Sequence, residues 1–365
     1  MENSSANDSH CSRVFLHQNG FEHLIKSQIS PIVIIITFVT NFIVCIVLTK
    51  PHMISPTNVI LLGMAIANLL TGLVPLPIYF AKLDSKFVSS ISVFKAFTNY
   101  YLTVVLPTIF HTAANWLTLI LAIQRYFYIK FPVVIHHFWT IKSAKICIYV
   151  VFIASTCCHC INFMAYFMEI SREGVIKCYL VNEDVLVAYY MLRVSLINVL
   201  PCLVLSIFTI FLIQALGQAK RNHCRLIQAS SKKTLSVQKS DSLSNSISKM
   251  LLVVLILFLV VEVPTGATIA AYTVGKTFMF DLNEALFTFL ITLCDVIVLI
   301  SYPCNFVVYC IMSKQFRNTL RAVLFVQKSS DLGFIGHKDD KIEKVLLNKI
   351  PNDKYEKSCD ETNTL

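Results

Sequence analysis

Apolar positions along the chain gather into seven long runs, at 29–48, 56–80, 94–129, 144–167, 185–216, 250–274 and 285–312, parted by short polar breaks. Each run reaches the ~20 residues that a helix needs to cross a hydrocarbon layer. The pattern predicts an all-α chain, a seven-transmembrane helix bundle occupying 29–312, with the two termini on opposite sides of the membrane. The character changes at 313–326. There Phe316, Leu320, Val323 and Leu324 share one helical face, while Lys314, Arg317 and Arg321 lie off it. That arrangement predicts a short amphipathic eighth helix lying on membrane lipid. Residues 1–28 form a polar tail, and 327–365 a polar, charged tail predicted to be disordered. The Ser/Lys-rich break at 217–249 is expected to be a flexible loop. No internal repeat is visible.

Composition sharpens the picture. Of the residues 56% are hydrophobic and 14% charged, against about 25% charged in soluble domains. This excludes an ordinary cytosolic enzyme and a disordered protein. The net charge of +10, from 31 basic and 21 acidic residues, would suit nucleic acid. Its placement argues otherwise, because the basic residues fall in the breaks between runs and in the tail. Lys50, Lys130, Lys142, Arg221, Arg225 and Lys249 sit in alternate breaks, and the opposite breaks carry fewer. The excess of positive charge on one side predicts a cytoplasmic face there and an extracellular N-terminus. Asn3 and Asn7 each begin an Asn-x-Ser glycosylation signal, which agrees with that orientation. The first 28 residues hold no short apolar stretch with a small-residue cleavage site, so a cleaved signal peptide is not expected. Thirteen cysteines are present. Most fall inside apolar runs, where cysteine behaves as a small hydrophobe. No Cys-x-x-Cys pairs with a second one, so no metal site is expected.

Ionisable groups inside a membrane span are costly and mark functional positions. Here they are His111, Arg125, His159, Arg193, Glu262 and Asp295. Arg125 lies in Gln124-Arg125-Tyr126 at the end of the third run. This resembles the arginine motif of rhodopsin-like (class A) G-protein-coupled receptors. Other family marks follow in order: Asn41 in helix one, Leu-Gly-Met-Ala-Ile-Ala-Asn ending at Asn68 in helix two, and Pro201 in helix five. Phe258 and Pro264 then stand in helix six, and Ser-Tyr-Pro303-Cys-Asn-Phe306 in helix seven. Within that family, the run Trp116-Leu-Thr-Leu-Ile-Leu-Ala-Ile-Gln-Arg-Tyr, Glu262-Val-Pro and Ser-Tyr-Pro-x-Asn-Phe resemble the invertebrate sex peptide / myoinhibitory peptide receptor group, near the myosuppressin and FMRFamide receptors. The resemblance implies a multi-pass receptor of the plasma membrane. It implies an extracellular neuropeptide ligand, often C-terminally amidated, and a heterotrimeric G protein as partner. It makes Gln124, Arg125 and Tyr126 the coupling residues. Asn41, Asn68, Pro201, Phe258, Pro264, Pro303 and Phe306 become the activation microswitches.

Departures from the family pattern carry expectations of their own. Asn68 stands where most members have a sodium-holding Asp, so sodium binding is not expected. Gln124 replaces an acid and cannot form a charge-assisted lock with Arg125, which suggests higher basal signalling. Tyr302 and Phe306 replace the usual Asn and Tyr, and Thr209 stands where helix five often has Tyr. The family disulfide needs a helix-three cysteine, and Tyr100 occupies that place. Cys178 in the second outer loop is left with Cys11. The two either bridge, stay as thiols or pair with another chain.

By the family's geometry His111, Glu262 and Asp295 converge at the floor of a ligand cavity, with Arg193 on its helix-five wall. In one reading Glu262 accepts a hydrogen bond from the terminal amide of a peptide. In the other it pairs internally with His111 or Arg193 and fixes helix packing. Tyr272, like Tyr79, Tyr100, Tyr101 and Tyr189, either belongs to an interfacial aromatic belt or faces the peptide. His159 is expected to form an internal hydrogen bond, and Asn115 to pack in the bundle centre.

Other ligands and activities fit poorly. Pro107 occupies the place of the amine-binding Asp of amine receptors. No lysine lies between Glu284 and Met312 to hold retinal. There is no nucleophile–base pair, phosphate loop or metal cluster, so neither catalysis nor a cofactor is expected. Ser240, Ser242, Ser244, Ser329, Ser330 and Thr362 are either phosphorylation sites for arrestin or parts of solvated linkers. Two rivals remain at this level. One is a seven-span ion or proton transporter or channel using Asp295, Glu262 and His111. The other is a decoy that binds peptide without coupling.

Overall fold

A computed structural model describes residues 24–81, 93–160, 166–170, 176–180, 188–189, 191–229, 235–278 and 283–324. Its principal helices are α1 (Ser30–Leu48), α2 (Pro56–Leu73), α3 (Leu106–Lys130), α4 (Ile141–Cys158), α5 (Leu200–Ala229), α6 (Leu235–Thr277), α7 (Glu284–Met312) and α8 (Lys314–Leu324). Seven stretches are long and apolar enough to cross a membrane, among them Phe97–Lys130, Met191–Ala219 and Ala285–Met312. Outward residues such as Ile32, Val260 and Ile311 are more than half exposed. Such a belt is a liability in water and at home in lipid. The seven-helix bundle of the sequence pattern is therefore present.

The fifth span begins at Met191 rather than 185, with 181–187 outside the described residues, and five others match their runs within about three residues. The fourth does not. It was expected at 144–167, and the helix runs Ile141–Cys158. Thr140 and Ser143 form a reciprocal capping box that starts α4 ahead of its first long apolar stretch. At the other end the chain turns at His159 and enters a two-stranded antiparallel hairpin, β1 (Tyr166–Ile170) with β2 (Ile176–Leu180), in which Met168 stands opposite Cys178. The hairpin is an addition to the helical architecture. A second correction concerns 217–249. In place of a flexible loop, α5 continues to Ala229 and α6 begins at Leu235. Asn3, Asn7 and Cys11, and the side chain of Cys178, lie outside the described residues.

Proline placement explains the irregular turns. Three π-helical segments, Ile25–Ile29, Tyr101–Val105 and Val194–Val199, end two residues before Pro31, Pro107 and Pro201. Proline has no N–H to donate, and its ring presses on the carbonyl four residues back. Widening the preceding turn, as in the Leu200 N–H bond to the Ser195 carbonyl, relieves that contact. The segment Val93–Tyr100 thereby joins α3, and Met191–Arg193 joins α5, through a bulge. Pro264 and Pro303 instead lie inside continuous helices.

α3 is the axis of the bundle and touches α2, α4, α5 and α6. It packs close to α2 at Gly63, where a Cβ would lie 2.9 Å from Ile148 Cδ1 of α4 and 3.3 Å from Leu117 Cδ1 of α3. Small residues at such crossings let membrane helices approach. α8 leaves α7 at Ser313 and is held by its one large buried side chain, Phe316, against Phe306 and Tyr309. Arg317 donates to the last carbonyls of α7, those of Cys310 and Ile311, which a helix end otherwise leaves unpaired. Thr319 Oγ1 reaches His52 Nε2 at 2.7 Å, so α8 is also tied to the α1–α2 turn.

Candidate functional site

The central site starts from the register of α3. His111 and Asn115 are one turn apart and point to the same side, towards α6 and α7. Glu262 reaches them from α6, and Tyr302 from α7. Asn115 Nδ2 donates to Glu262 Oε2 at 3.2 Å. His111 Nε2 lies 3.5 Å from Glu262 Oε1 and 3.3 Å from Asn115 Nδ2. On the other edge of the ring, His111 Nδ1 and Tyr302 Oη are 2.9 Å apart. Glu262 and Asn115 are 5% and 3% exposed, so the carboxylate meets these partners and little water.

The Asn115 Nδ2 amide donates to Glu262 Oε2 and, 3.3 Å from His111 Nε2, faces the ring nitrogen as a donor too. Nε2 therefore stands between a donor and a carboxylate oxygen, and the tautomer decides which of the two it pairs with. The Tyr302 hydroxyl, which both donates and accepts, matches Nδ1 in either case. Three helices are thus joined through one imidazole. Bonds to a charged group contribute about 1.5–3 kcal/mol each.

A second buried network lies on the adjacent face of α3. Thr112 Oγ1 meets His159 Nε2 at 2.9 Å, and His159 Nδ1 meets Tyr189 Oη at 2.8 Å. His159 has no exposed surface. Its expected internal bond is therefore a double one, joining α3, the end of α4 and the segment before α5.

The other expected residues sit around this centre. Arg193 immediately precedes the π turn of the fifth span, and its Nε is buried with no hydrogen-bond partner among the described residues. It is close enough to act electrostatically on His111 and on His159. Asp295 is an exposed residue of α7 whose charge reaches Tyr79 and His111. Tyr272 lies nearer the end of α6 and packs on Phe287 of α7, ring centroids 5.7 Å apart. The structure thus brings His111 directly to Glu262 and leaves Arg193, Asp295 and Tyr272 outside that network.

Two members of the network were not singled out as site residues from sequence. Asn115 was read as packing, and Tyr302 only as a departure from the helix-seven motif. The signals were present: Asn115 follows His111 by one turn, and Tyr302 follows Asp295 by two.

A second centre lies at the α8 end of α3. Arg125 is 8% exposed. Its guanidinium stacks 5.5 Å from the centre of the Tyr128 ring, and among the described residues no carboxylate pairs with it. Gln124 Nε2 instead donates to Thr57 of α2 at 3.1 Å. Tyr126 packs against Phe208 and Phe211 of α5, at 5.8 and 5.7 Å. Lys130 reaches Gln218 Oε1 of α5 at 3.2 Å. Met250, Leu251 and Val254 of α6 are buried with Leu121, Tyr309 and Phe316, so this end of α6 is shut against α3, α7 and α8. Phe258 packs higher, in a cluster with Leu119, Leu205 and Leu255.

The remaining motif residues lie elsewhere on the helices. Asn41 is buried and donates to the Thr37 carbonyl at 3.0 Å. Asn68 and Pro201 are buried as well. Phe306 faces Phe316 edge-on at 6.1 Å. Among the described residues no cluster of His, Cys, Asp or Glu has a geometry for a metal ion.

The chain is similar to known proteins. The family model described as serpentine type 7TM GPCR chemoreceptor Srw matches residues 28–327. A Caenorhabditis elegans protein named sex peptide receptor-related protein 2 is 30% identical over 339 residues, 86% of this chain and 74% of the relative. The sex peptide receptor of Drosophila melanogaster is 30% identical over 314 residues, 80% of this chain and 71% of the relative.

Proposed function

The chain belongs to the serpentine 7TM G-protein-coupled receptor family described as Srw chemoreceptors, and from that premise we propose that it is a plasma-membrane receptor for an extracellular, C-terminally amidated neuropeptide. A multi-pass receptor of this family takes an extracellular ligand and a G protein, and it is not an enzyme. The peptide class is supported by the names of the two relatives. The positive-inside distribution supports an N-terminus outside the cell.

The observation that carries the mechanism is the His111–Glu262–Asn115–Tyr302 network. Its Glu262 stands two residues before Pro264, and Arg193, Tyr272 and Asp295 lie outside the network. Those three residues offer a peptide one cation, one aromatic face and one carboxylate. A terminal amide donates where a free carboxylate would be repelled, so Asp295 and Glu262 favour the amide. Ligand engagement competes with Asn115 and His111 for Glu262. The loss of that tie lets α6 swing about Pro264. Met250 and Leu251 then leave their inner packing, and Arg125 and Tyr126 become available to the G protein. This is a shift between two populated states, and it requires tighter ligand binding to the open one.

The reading is tested by a G-protein activation screen in transfected cells, using amidated neuropeptides each beside its free-acid twin. A response to one amide and not to its acid is expected. Surface binding of peptide with no G-protein response would instead mark a receptor that binds without coupling. Substrate flux or a ligand-independent current would mark a transporter or channel.

A further inference from the structure

The fifth span carries two buried donors that no described residue satisfies. Asn198 is 9% exposed, and its Nδ2 has no hydrogen-bond partner among the described residues. Arg193 Nε is likewise buried and unpartnered there. Both belong to one local feature, the π turn Val194–Val199, of which Arg193 is the N-cap residue. In a π turn each N–H pairs with the carbonyl five residues back, so residues five apart are brought nearly over one another. Arg193 and Asn198 are five apart, which sets both donors on one side of the helix. That side meets α6 and the central network. A Cβ on Gly266 of α6 would lie 3.4 Å from Asn198 Cβ. Cys202, one turn beyond Asn198, feels the charge of Glu262. The charge of Arg193 reaches His111, which stands 3.5 Å from Glu262. A buried donor left unpaired costs the resting receptor stability, so its retention calls for a partner that arrives from outside.

We propose that Asn198 and Arg193 hold the carbonyl oxygen of the ligand's C-terminal amide, while Glu262 takes its N–H. The inference rests on the amidated-peptide reading above, and it assigns the half of the amide which that reading leaves unbound. A primary amide carries two N–H donors and one oxygen with two lone pairs. The site carries the complement. Glu262 supplies the acceptor on α6, and the π turn packed against α6 supplies two unpaired N–H donors. A free acid finds the same donors but sets a second negative charge against Glu262. A methyl ester keeps the carbonyl and loses both N–H groups. The primary amide alone satisfies both walls. Water on the two donors would leave them indifferent to the end group of the peptide, and the experiment reads that difference.

The experiment uses the full-length receptor in transfected cells and short peptides with an aromatic last residue, chosen for the Tyr272–Phe287 face. Each peptide is made as the primary amide, as the methyl ester, and with phenethylamine in place of its last residue, which removes the terminal carboxamide. Affinity is read by displacement of the labelled amide. Asn198→Leu keeps the shape and removes the donor. Amide and ester are each expected to bind roughly tenfold more weakly, and the phenethylamine form to bind unchanged. Arg193→Lys keeps the charge, loses the Nε donor, and should shift the same two forms in the same direction. With an orphaned donor gone, the unliganded Asn198→Leu receptor should withstand heating at least as well as the wild type. Equal loss on all three forms, or a drop in thermal stability, overturns the proposal, because Asn198 then serves packing or a water. So do unchanged affinities. A wild type that binds none of the amides sinks the neuropeptide reading and this inference with it. A wild type that prefers amide to acid, beside an unchanged Asn198→Leu, sinks only the contact on the π turn.

Discussion

Glu262 of α6 and His111 of α3 face each other inside the helix bundle, Oε1 3.5 Å from Nε2, with Asn115 holding the second carboxylate oxygen at 3.2 Å. The pair has a consequence for how the receptor rests. A buried carboxylate tied on both oxygens resists displacement of its helix, because leaving one partner behind strands a polar group in low dielectric.

Glu262→Gln is the sharpest test of that tie. The amide keeps the shape and still accepts from Asn115, and it loses the charge. About 1–2 kcal/mol of α3–α6 restraint should disappear, which raises the open population by roughly tenfold. Basal G-protein activity is expected to rise and peptide potency to change, with surface expression retained. Unchanged basal signalling together with unchanged potency would show that Glu262 neither holds α6 nor meets the ligand.

Tyr302→Phe removes only the hydroxyl that meets His111 at 2.9 Å. The ring stays, and one neutral bond of about 1 kcal/mol is lost. The imidazole then loses its Nδ1 partner. A shift of basal activity smaller than that of Glu262→Gln is expected. If the two bonds belong to one network, the double variant should deviate from the sum of the single effects, and a concentration–response series on all three receptors reads this directly.

Much of this arrangement was legible in the chain. Seven apolar runs gave the spans, and the rarity of charge inside them pointed to His111 and Glu262. The register of those two residues survives because α3 is regular from Leu106 to Lys130. The π turns were less legible. Each inserts an extra residue before a proline and rotates everything upstream of it, so two turns from Pro201 no longer fixes which way Arg193 points. The end of α4 was missed for a different reason. Hydropathy scores apolar residues alike in helix or strand, and the turn at His159 depends on the distant partners Thr112 and Tyr189.

Gln124 tests the second centre. Its amide bonds to Thr57 of α2, one residue from an Arg125 that lacks an acidic partner among the described residues. Gln124→Glu places a carboxylate there, and the Thr57 hydroxyl can donate to it in place of the lost amide. The new charge beside Arg125 should stabilise the shut state by about 1–2 kcal/mol. Lower basal activity and a rightward shift of the peptide response are expected. A rise in basal signalling would mean that the Thr57 bond, rather than the charge balance at Arg125, sets the resting state.

Gly63 tests the frame that carries both centres. Its missing side chain lets α2 pass within contact of Ile148 and Leu117. Alanine meets the mobile end of Ile148, which can turn aside, so Gly63→Ala should cost little. Valine adds two methyl groups against Leu117 as well, and overpacking of this kind costs typically 1–3 kcal/mol. The strain falls on α3 between His111 and Arg125, the stretch between the proposed ligand floor and the proposed coupling end. Gly63→Val is therefore expected to lower surface expression and, in the molecules that reach the surface, to weaken G-protein coupling more than peptide binding. Equal loss of binding and coupling in surface-normalised assays would show that the crossing supports folding alone.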